Sequence, residues 1–95
     1  MPFSTLHTLE AVGICPNNGL PDRYTIRVYP GPDRDMFCER IVEVVDGLLV
    51  RPIFQERFTQ ELADRLGCRV ETTCGHLAGD RVTVECEACP ADAAA

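Results

Sequence analysis

The chain has no run of basic residues and no long hydrophobic segment, and these two absences exclude several classes of protein. Its net charge is −6 at pH 7, which argues against a nucleic-acid partner or an anionic membrane surface. No apolar stretch approaches the roughly 18 residues that span a bilayer, so we expect no membrane partner. Residues 1–10 lack a basic region followed by an apolar one, unlike a signal peptide, and we expect a cytoplasmic protein.

The length and the cysteine count set the expected organisation. The 95 residues predict a single small domain over residues 1–89, followed by a disordered tail at 90–95. A chain of this size buries only about 60–65% of its unfolded surface, so association with further copies is a natural source of stability. Six cysteines would suit a disulfide-stapled secreted domain. The long periodic segments and the lack of an export signal favour free thiols instead.

Six segments have strand or helix periodicity. In chain order they are strands 4–14 and 23–30, helices 41–49 and 54–66, and strands 68–74 and 82–87. Asp35 is the candidate N-cap of the first helix, Pro52 ends it, and Gly67 stops the second. The many valines and Gly47 leave a strand possible at 41–49. The order predicts an α+β fold in which both helices cover one face of an antiparallel sheet.

The loop that joins the first two strands combines a thiol and a carboxylate with residues that restrict the backbone. It covers Cys15–Asp22 and reads C-P-N-N-G-L-P-D. Its prolines fix φ, and Gly19 permits a tight bend, so we expect a rigid loop. Such a loop can aim Cys15 and Asp22 at one point, which covalent catalysis requires. On composition alone the default remains a small buried cysteine followed by an ordinary turn.

This element order and this loop together resemble the tunnelling-fold (T-fold) superfamily, whose members bind purines and pterins. The loop is similar to the C-P-x-x-G-x-P-D signature of the 7-cyano-7-deazaguanine nitrile reductases and their amidine-forming relatives. The resemblance implies that Cys15 attacks a nitrile carbon to form a thioimide and that Asp22 is the general acid. It also implies that Glu56 binds the base, with Gln55 before it where that family has histidine. The reductases have a sequence segment that binds NADPH, and only Glu39 of this chain matches it. We therefore expect that NADPH is not a cofactor, and we favour amidine formation over reduction.

Two glutamates are candidates for substrate binding. The paired oxygens of Glu56 suit the guanidine-like edge of a purine or pterin. The structural alternative is a first-turn carboxylate that the helix dipole favours. Glu71 is the weaker candidate, because its place on a strand puts it on the face opposite Val70 and Thr72.

A resemblance to a second branch of the same superfamily suggests an alternative function, that of a zinc enzyme. Residues 51–64 are similar to the segment around the pterin-binding Gln-Glu of GTP cyclohydrolase I, a zinc enzyme. By this resemblance, Cys15, Cys74 and His76 would be the zinc ligands here. The first of that family's zinc motifs has lost its histidines, at Asn17 and Asn18. We therefore expect no metal and no cofactor.

The sequence predicts a homo-oligomer of T-fold subunits, with sheets joined edge to edge into a barrel and active sites between subunits. The predicted substrate is a small deazapurine-like heterocycle, and ammonia or another nucleophile would capture the thioimide. Two alternatives stay open: a zinc-dependent cyclohydrolase-like enzyme and a non-catalytic purine- or pterin-binding module. The C-x-x-C pair of Cys86 and Cys89 is weak evidence for a metal or redox site, and His7 is structural by default.

Overall fold

The computed structural model describes residues 2–91 as a four-stranded antiparallel sheet with two helices. The elements are β1 (His7–Ile14), β2 (Pro21–Tyr29), α1 (Cys38–Leu49), α2 (Gln55–Leu66), β3 (Arg69–His76) and β4 (Val82–Ala88). The strands lie in the sheet in chain order, and each pairs antiparallel with the next. The predicted ββααββ order and α+β class are confirmed. Within the described residues, neither helix is long and apolar enough to cross a membrane.

Both helices cover the same face of the sheet, and the core lies between them. Alternate residues of β2 and β3 point towards the helices, as the period of a strand requires. The apolar members of this buried set are Tyr24, Ile26, Val28, Val70 and Cys74. Helix α2 packs over β3 and β4, while α1 packs against β1 and α2. Segment 41–49 is therefore helical, and its apolar row fills the core.

Several strand and helix boundaries differ from the predicted ones. β1 begins at His7 rather than at residue 4, and β3 continues to His76. The prediction that Asp35 caps α1 is wrong, because the N-cap is Phe37, which makes no side-chain capping hydrogen bond. Asp35 lies two residues before this N-cap. Gly67 ends α2 in the left-handed conformation at φ 69°, as predicted. Most of the predicted tail, residues 92–95, lies outside the described residues.

The two edge strands carry exposed apolar side chains. β1 and β4 form the edges of the sheet, and Val12, Ile14 and Val82 on these strands are exposed. Exposed strand edges of this kind favour pairing with another chain. The joining of copies into a barrel stays a prediction.

The close contact between β1 and α1 gives a test of the packing. A Cβ atom on Gly13 would lie 3.0 Å from Leu49 Cδ2 and 3.2 Å from Tyr24 Cε2. Because this space is already filled, Gly13→Ala should lower the free energy of unfolding by about 1–3 kcal/mol. Urea denaturation monitored by circular dichroism measures the change.

Gly47 provides the matched control. It lies inside α1, and a Cβ atom there would meet nothing within 4 Å. Gly47→Ala should therefore raise the free energy of unfolding by about 0.5–1 kcal/mol through helix propensity. If the two substitutions shifted stability in the same direction, the described contact between β1 and α1 would be incorrect.

Candidate functional site

The β1–β2 loop is closed by hydrogen bonds between its own residues. The Cys15 N–H donates to the Leu20 carbonyl oxygen and the Gly19 N–H donates to the Cys15 carbonyl oxygen, both at 2.9 Å. The Leu20 N–H also donates to Asn18 Oδ1 at 2.9 Å. Gly19 has a φ of 71°, the left-handed conformation that glycine adopts without strain. The closed loop leaves Cys15 and Asp22 at the same end of the sheet.

One histidine links this loop to the start of α2. Asp22 is only 2% exposed, and its Oδ1 lies 3.0 Å from His76 Nδ1 on the neighbouring strand. The other ring nitrogen, His76 Nε2, lies 2.9 Å from Gln55 Oε1. Gln55 is the first residue of α2. A continuous set of hydrogen bonds therefore runs from the loop carboxylate to the residue before Glu56.

The Gln55 side chain is held in one orientation by a backbone carbonyl oxygen, which can only accept a hydrogen bond. Its Nε2 donates to the Val84 carbonyl oxygen at 2.9 Å and to Thr72 Oγ1 at 3.1 Å. The Thr59 hydroxyl donates to the Gln55 carbonyl oxygen at 2.8 Å and lies 2.7 Å from Thr72 Oγ1. Because Nε2 must face Val84, Oε1 must face His76. The side chain predicted to bind substrate thus bonds to groups of its own chain.

Two buried groups beside Asp22 stay neutral at physiological pH. Burial raises the pKa of the Cys74 thiol to about 12, and the nearby Asp22 charge adds to the rise. Burial also raises the pKa of Tyr24, and the neighbouring Cys74 and Asp22 contribute. A protonated, buried Cys74 is a poor nucleophile, whereas Cys15 is partly exposed.

The same end of the sheet holds a group of side chains of the kinds that ligate metals. Asp22, Cys74 and His76 each offer one atom, and these atoms lie within 4.8 Å of one another. An oxygen, a sulfur and a nitrogen form a donor set that zinc accepts. However, both imidazole nitrogens already have hydrogen-bond partners, and the Cys74 thiol contacts the Gly75 carbonyl oxygen at 3.6 Å. The arrangement is therefore a hydrogen-bonded network and does not fit a coordination shell.

Two of the three zinc ligands that the resemblance implies, Cys74 and His76, lie close together in the structure. Cys74 and His76 lie on one side of β3, as their spacing predicts. The third residue of this cluster is Asp22, where the resemblance implied Cys15. The pairing of Asp22 with His76 was not foreseen. The only signal in the sequence was that Cys74 and His76 would share a face.

Glu56 lies at the surface beside this network. It is the second residue of α2 and is exposed. Its side chain borders a surface groove of about 550 Å³, which is also lined by Phe54, Arg57, Gln60, Glu61 and Asp64. A carboxylate so placed is accessible to a ligand, while Gln55, one residue earlier, is not.

Glu71 lies on the other face of the sheet. Its Oε1 accepts hydrogen bonds from the Tyr29 hydroxyl at 2.7 Å and from Arg27 Nε at 3.0 Å, and Arg69 pairs with its second oxygen. The hydrogen bond from Tyr29, followed by that from Arg27, holds the pKa of Glu71 below its usual value. Within one chain the sheet separates Glu71 from Asp22. Its role in substrate binding stays a prediction.

The fold is similar to that of a solved structure described as the archaeosine synthase QueF-Like in the apo form. The TM-score is 0.70, the sequence identity is 20%, and the match covers 90% of each chain. No family model and no curated protein matches the sequence. At this identity the likeness shows the fold, and the ββααββ arrangement is that of a T-fold, as predicted.

The buried network around Gln55 gives a stability prediction. Thr72→Val removes the hydroxyl that accepts from Gln55 and bonds to Thr59. Since two buried polar groups lose a partner, the free energy of unfolding should fall by about 1–3 kcal/mol. Urea denaturation measures this change.

The same substitution at Thr83 is the control, because Thr83 is exposed on β4. Thr83→Val should change the free energy of unfolding by less than about 0.5 kcal/mol. Equal effects at the two positions would contradict the assigned hydrogen bonds.

Proposed function

We propose that the protein is a T-fold enzyme that modifies a nitrile-bearing 7-deazapurine or a similar purine-like heterocycle. Cys15 is the nucleophile, Asp22 supplies a proton, and the product is an amidine rather than the amine of an NADPH-dependent reduction. The observation that carries the proposal is the hydrogen-bonded path from Asp22 through His76 to Gln55. This path fixes the nucleophile loop relative to the helix turn that presents Glu56. The structural likeness to an archaeosine synthase QueF-Like supports the same class of substrate.

The chemistry is an addition followed by a substitution. Sulfur of Cys15 bonds to the nitrile carbon, one π bond of the C≡N group breaks, and the nitrogen takes a proton from Asp22. The net change is addition of one S–H across the nitrile to form a thioimide. Ammonia or another nucleophile then bonds to the thioimide carbon, and Cys15 leaves as the thiol. No electrons are transferred, so the step requires no hydride donor.

Glu56 recognises the ring in this proposal. Its two carboxylate oxygens accept hydrogen bonds from two adjacent ring N–H groups, and the negative charge strengthens both. Its exposure leaves it free to meet a ligand that another copy of the chain helps to enclose. We infer that copies join through the β1 and β4 edges and that each site lies between subunits.

The covalent step is tested by intact-protein mass spectrometry after incubation with 7-cyano-7-deazaguanine. The mass should rise by one nitrile substrate per chain, and Cys15→Ala should abolish the rise while leaving the circular dichroism spectrum unchanged. Cys38→Ala removes an exposed free thiol outside the loop, and this variant should still form the adduct. An adduct that persists in Cys15→Ala, or that maps to Cys74, would exclude Cys15 as the nucleophile.

Base recognition is tested by calorimetric titration of deazapurine, purine and pterin ligands into Glu56→Gln. An amide places a donor where an acceptor is needed, so binding should weaken by about 2–5 kcal/mol while the melting temperature stays the same. Glu61→Gln changes a carboxylate in the same groove and should leave affinity unchanged. If Glu56→Gln kept full affinity and lowered the melting temperature instead, Glu56 would be a structural first-turn residue.

The second candidate is a zinc-dependent cyclohydrolase-like enzyme, for which Asp22, Cys74 and His76 offer atoms of the right kind, although zinc would have to displace a hydrogen bond of His76. About one zinc per chain in the purified protein, lost in Cys74→Ala, would support this candidate and oppose the metal-free reaction. A non-catalytic module would instead bind the heterocycle reversibly with no gain in mass.

A further inference from the structure

We propose that His76, oriented by Gln55, is the residue that keeps a transferable proton on Asp22. This inference rests on the proposed function and extends it, because neither the motif nor the likeness to known proteins assigns His76 such a role. His76 acts through Asp22 and is therefore a positioning residue. The position of this proton depends on which atoms of the network can donate a hydrogen bond.

The direction of the network is set by two carbonyl oxygens of the backbone. The Val84 carbonyl oxygen can only accept, so it fixes the Gln55 amide with nitrogen towards Val84 and oxygen towards His76. The Gln55 carbonyl oxygen accepts from the Thr59 hydroxyl, so the Thr72 hydroxyl must donate to Thr59. Thr72 Oγ1 then accepts from the Gln55 amide nitrogen. Each N–H and O–H group of the set therefore has an acceptor.

The proton on His76 Nε2 follows from this direction. Gln55 Oε1 has no hydrogen, so the 2.9 Å contact with His76 is a hydrogen bond only if Nε2 carries one. A neutral imidazole has one N–H, and here Nε2 has it. His76 Nδ1 would then face Asp22 with a lone pair.

A proton must therefore lie between His76 and Asp22. An unprotonated Nδ1 and a carboxylate oxygen at 3.0 Å would place two lone pairs against each other in a buried site. A hydrogen bond forms either with a neutral imidazole and a protonated Asp22 or with an imidazolium and a carboxylate. Both states contain the same single proton. The buried neighbours Cys74 and Tyr24 keep their own protons, because burial raises the pKa of each.

The proposed reaction uses and restores this proton. As sulfur bonds to the nitrile carbon, Asp22 passes the shared proton to the nitrile nitrogen. The proton that the Cys15 thiol gives up replaces it. One S–C bond forms, one π bond of the nitrile breaks, and the Asp22–His76 pair ends with the proton it held at the start.

The protonation state is tested by ¹⁵N NMR of the histidine rings in the full chain. The sequence contains two histidines, His7 and His76, so the His7→Asn variant leaves one set of ring signals. The proposal predicts a protonated Nε2 on His76 and a shared proton at Nδ1. A bare Nε2 with an ordinary N–H at Nδ1 would overturn it, whatever the enzyme's activity.

The role of His76 in the reaction is tested by comparing the rates at which the wild-type protein and its histidine variants form the adduct with 7-cyano-7-deazaguanine. In His76→Asn the side-chain amide can still donate to Asp22, but it has no proton to give up. Adduct formation should slow by about 100- to 10,000-fold, the range expected for loss of general acid catalysis, while ligand affinity is kept. His7→Asn, on β1, should react at the wild-type rate. His76→Gln serves as a second variant if His76→Asn does not fold.

The outcomes separate this inference from the proposed function. A normal rate in folded His76→Asn would overturn the role of His76 and leave Cys15 as the nucleophile. Complete absence of an adduct in the wild-type protein would overturn the proposed function. In that case the ¹⁵N NMR spectrum would still show whether Asp22 and His76 share a proton.

Discussion

The hydrogen bond between His76 Nε2 and Gln55 Oε1 is the contact on which the candidate site depends. It joins the end of β3 to the first residue of α2, and it leaves Nδ1 of the same ring facing Asp22. Gln55 is itself fixed by the Val84 carbonyl oxygen and the Thr72 hydroxyl. A buried polar group without a partner would lower the free energy of unfolding by about 1–3 kcal/mol. The side chains around Gln55 can therefore adopt only one arrangement of hydrogen bonds. A fully paired buried network of this kind specifies one geometry for the loop carboxylate.

The sheet divides the polar residues of the protein into two groups with different surroundings. On the helix-covered face, Asp22 is buried and bonded to His76, whose other ring nitrogen bonds to the Gln55 amide. On the open face, Glu71 is surrounded by Arg27, Tyr29 and Arg69, which stabilise its charge. The first environment suits a group that exchanges a proton, and the second suits a permanent ion pair between strands. A ligand contacted by Glu71 would have to lie on the open face, on the far side of the sheet from Asp22.

Periodicity was sufficient to predict the element order, because the buried rows of β2, α2 and β3 alternate with polar residues at strand or helix spacing. Gly67 could be placed as the stop of α2, since glycine adopts the left-handed conformation at the end of a helix without strain. The cap of α1 could not, because Phe37 precedes that helix in an extended conformation without a capping side chain. The pair of Asp22 and His76 is separated by 54 positions and depends on the register of β2 against β3, which local patterns do not contain. Gln55 was predicted to bind substrate from the family resemblance, and its burial between α2 and the sheet is a tertiary property that local patterns do not contain.

We propose that the buried pair of Asp22 and His76 supplies the proton when the Cys15 thiol adds to the nitrile, and a crystal structure of the protein after reaction with the nitrile tests this most directly. Continuous density should run from Cys15 Sγ to the former nitrile carbon on the ring. The imide nitrogen should lie within hydrogen-bond distance of Asp22, with Asp22 still paired to His76, and the Glu56 carboxylate should face two ring N–H groups. A substrate attached to Cys74, or a metal ion seated between Asp22 and His76 with Cys15 unmodified, would contradict it.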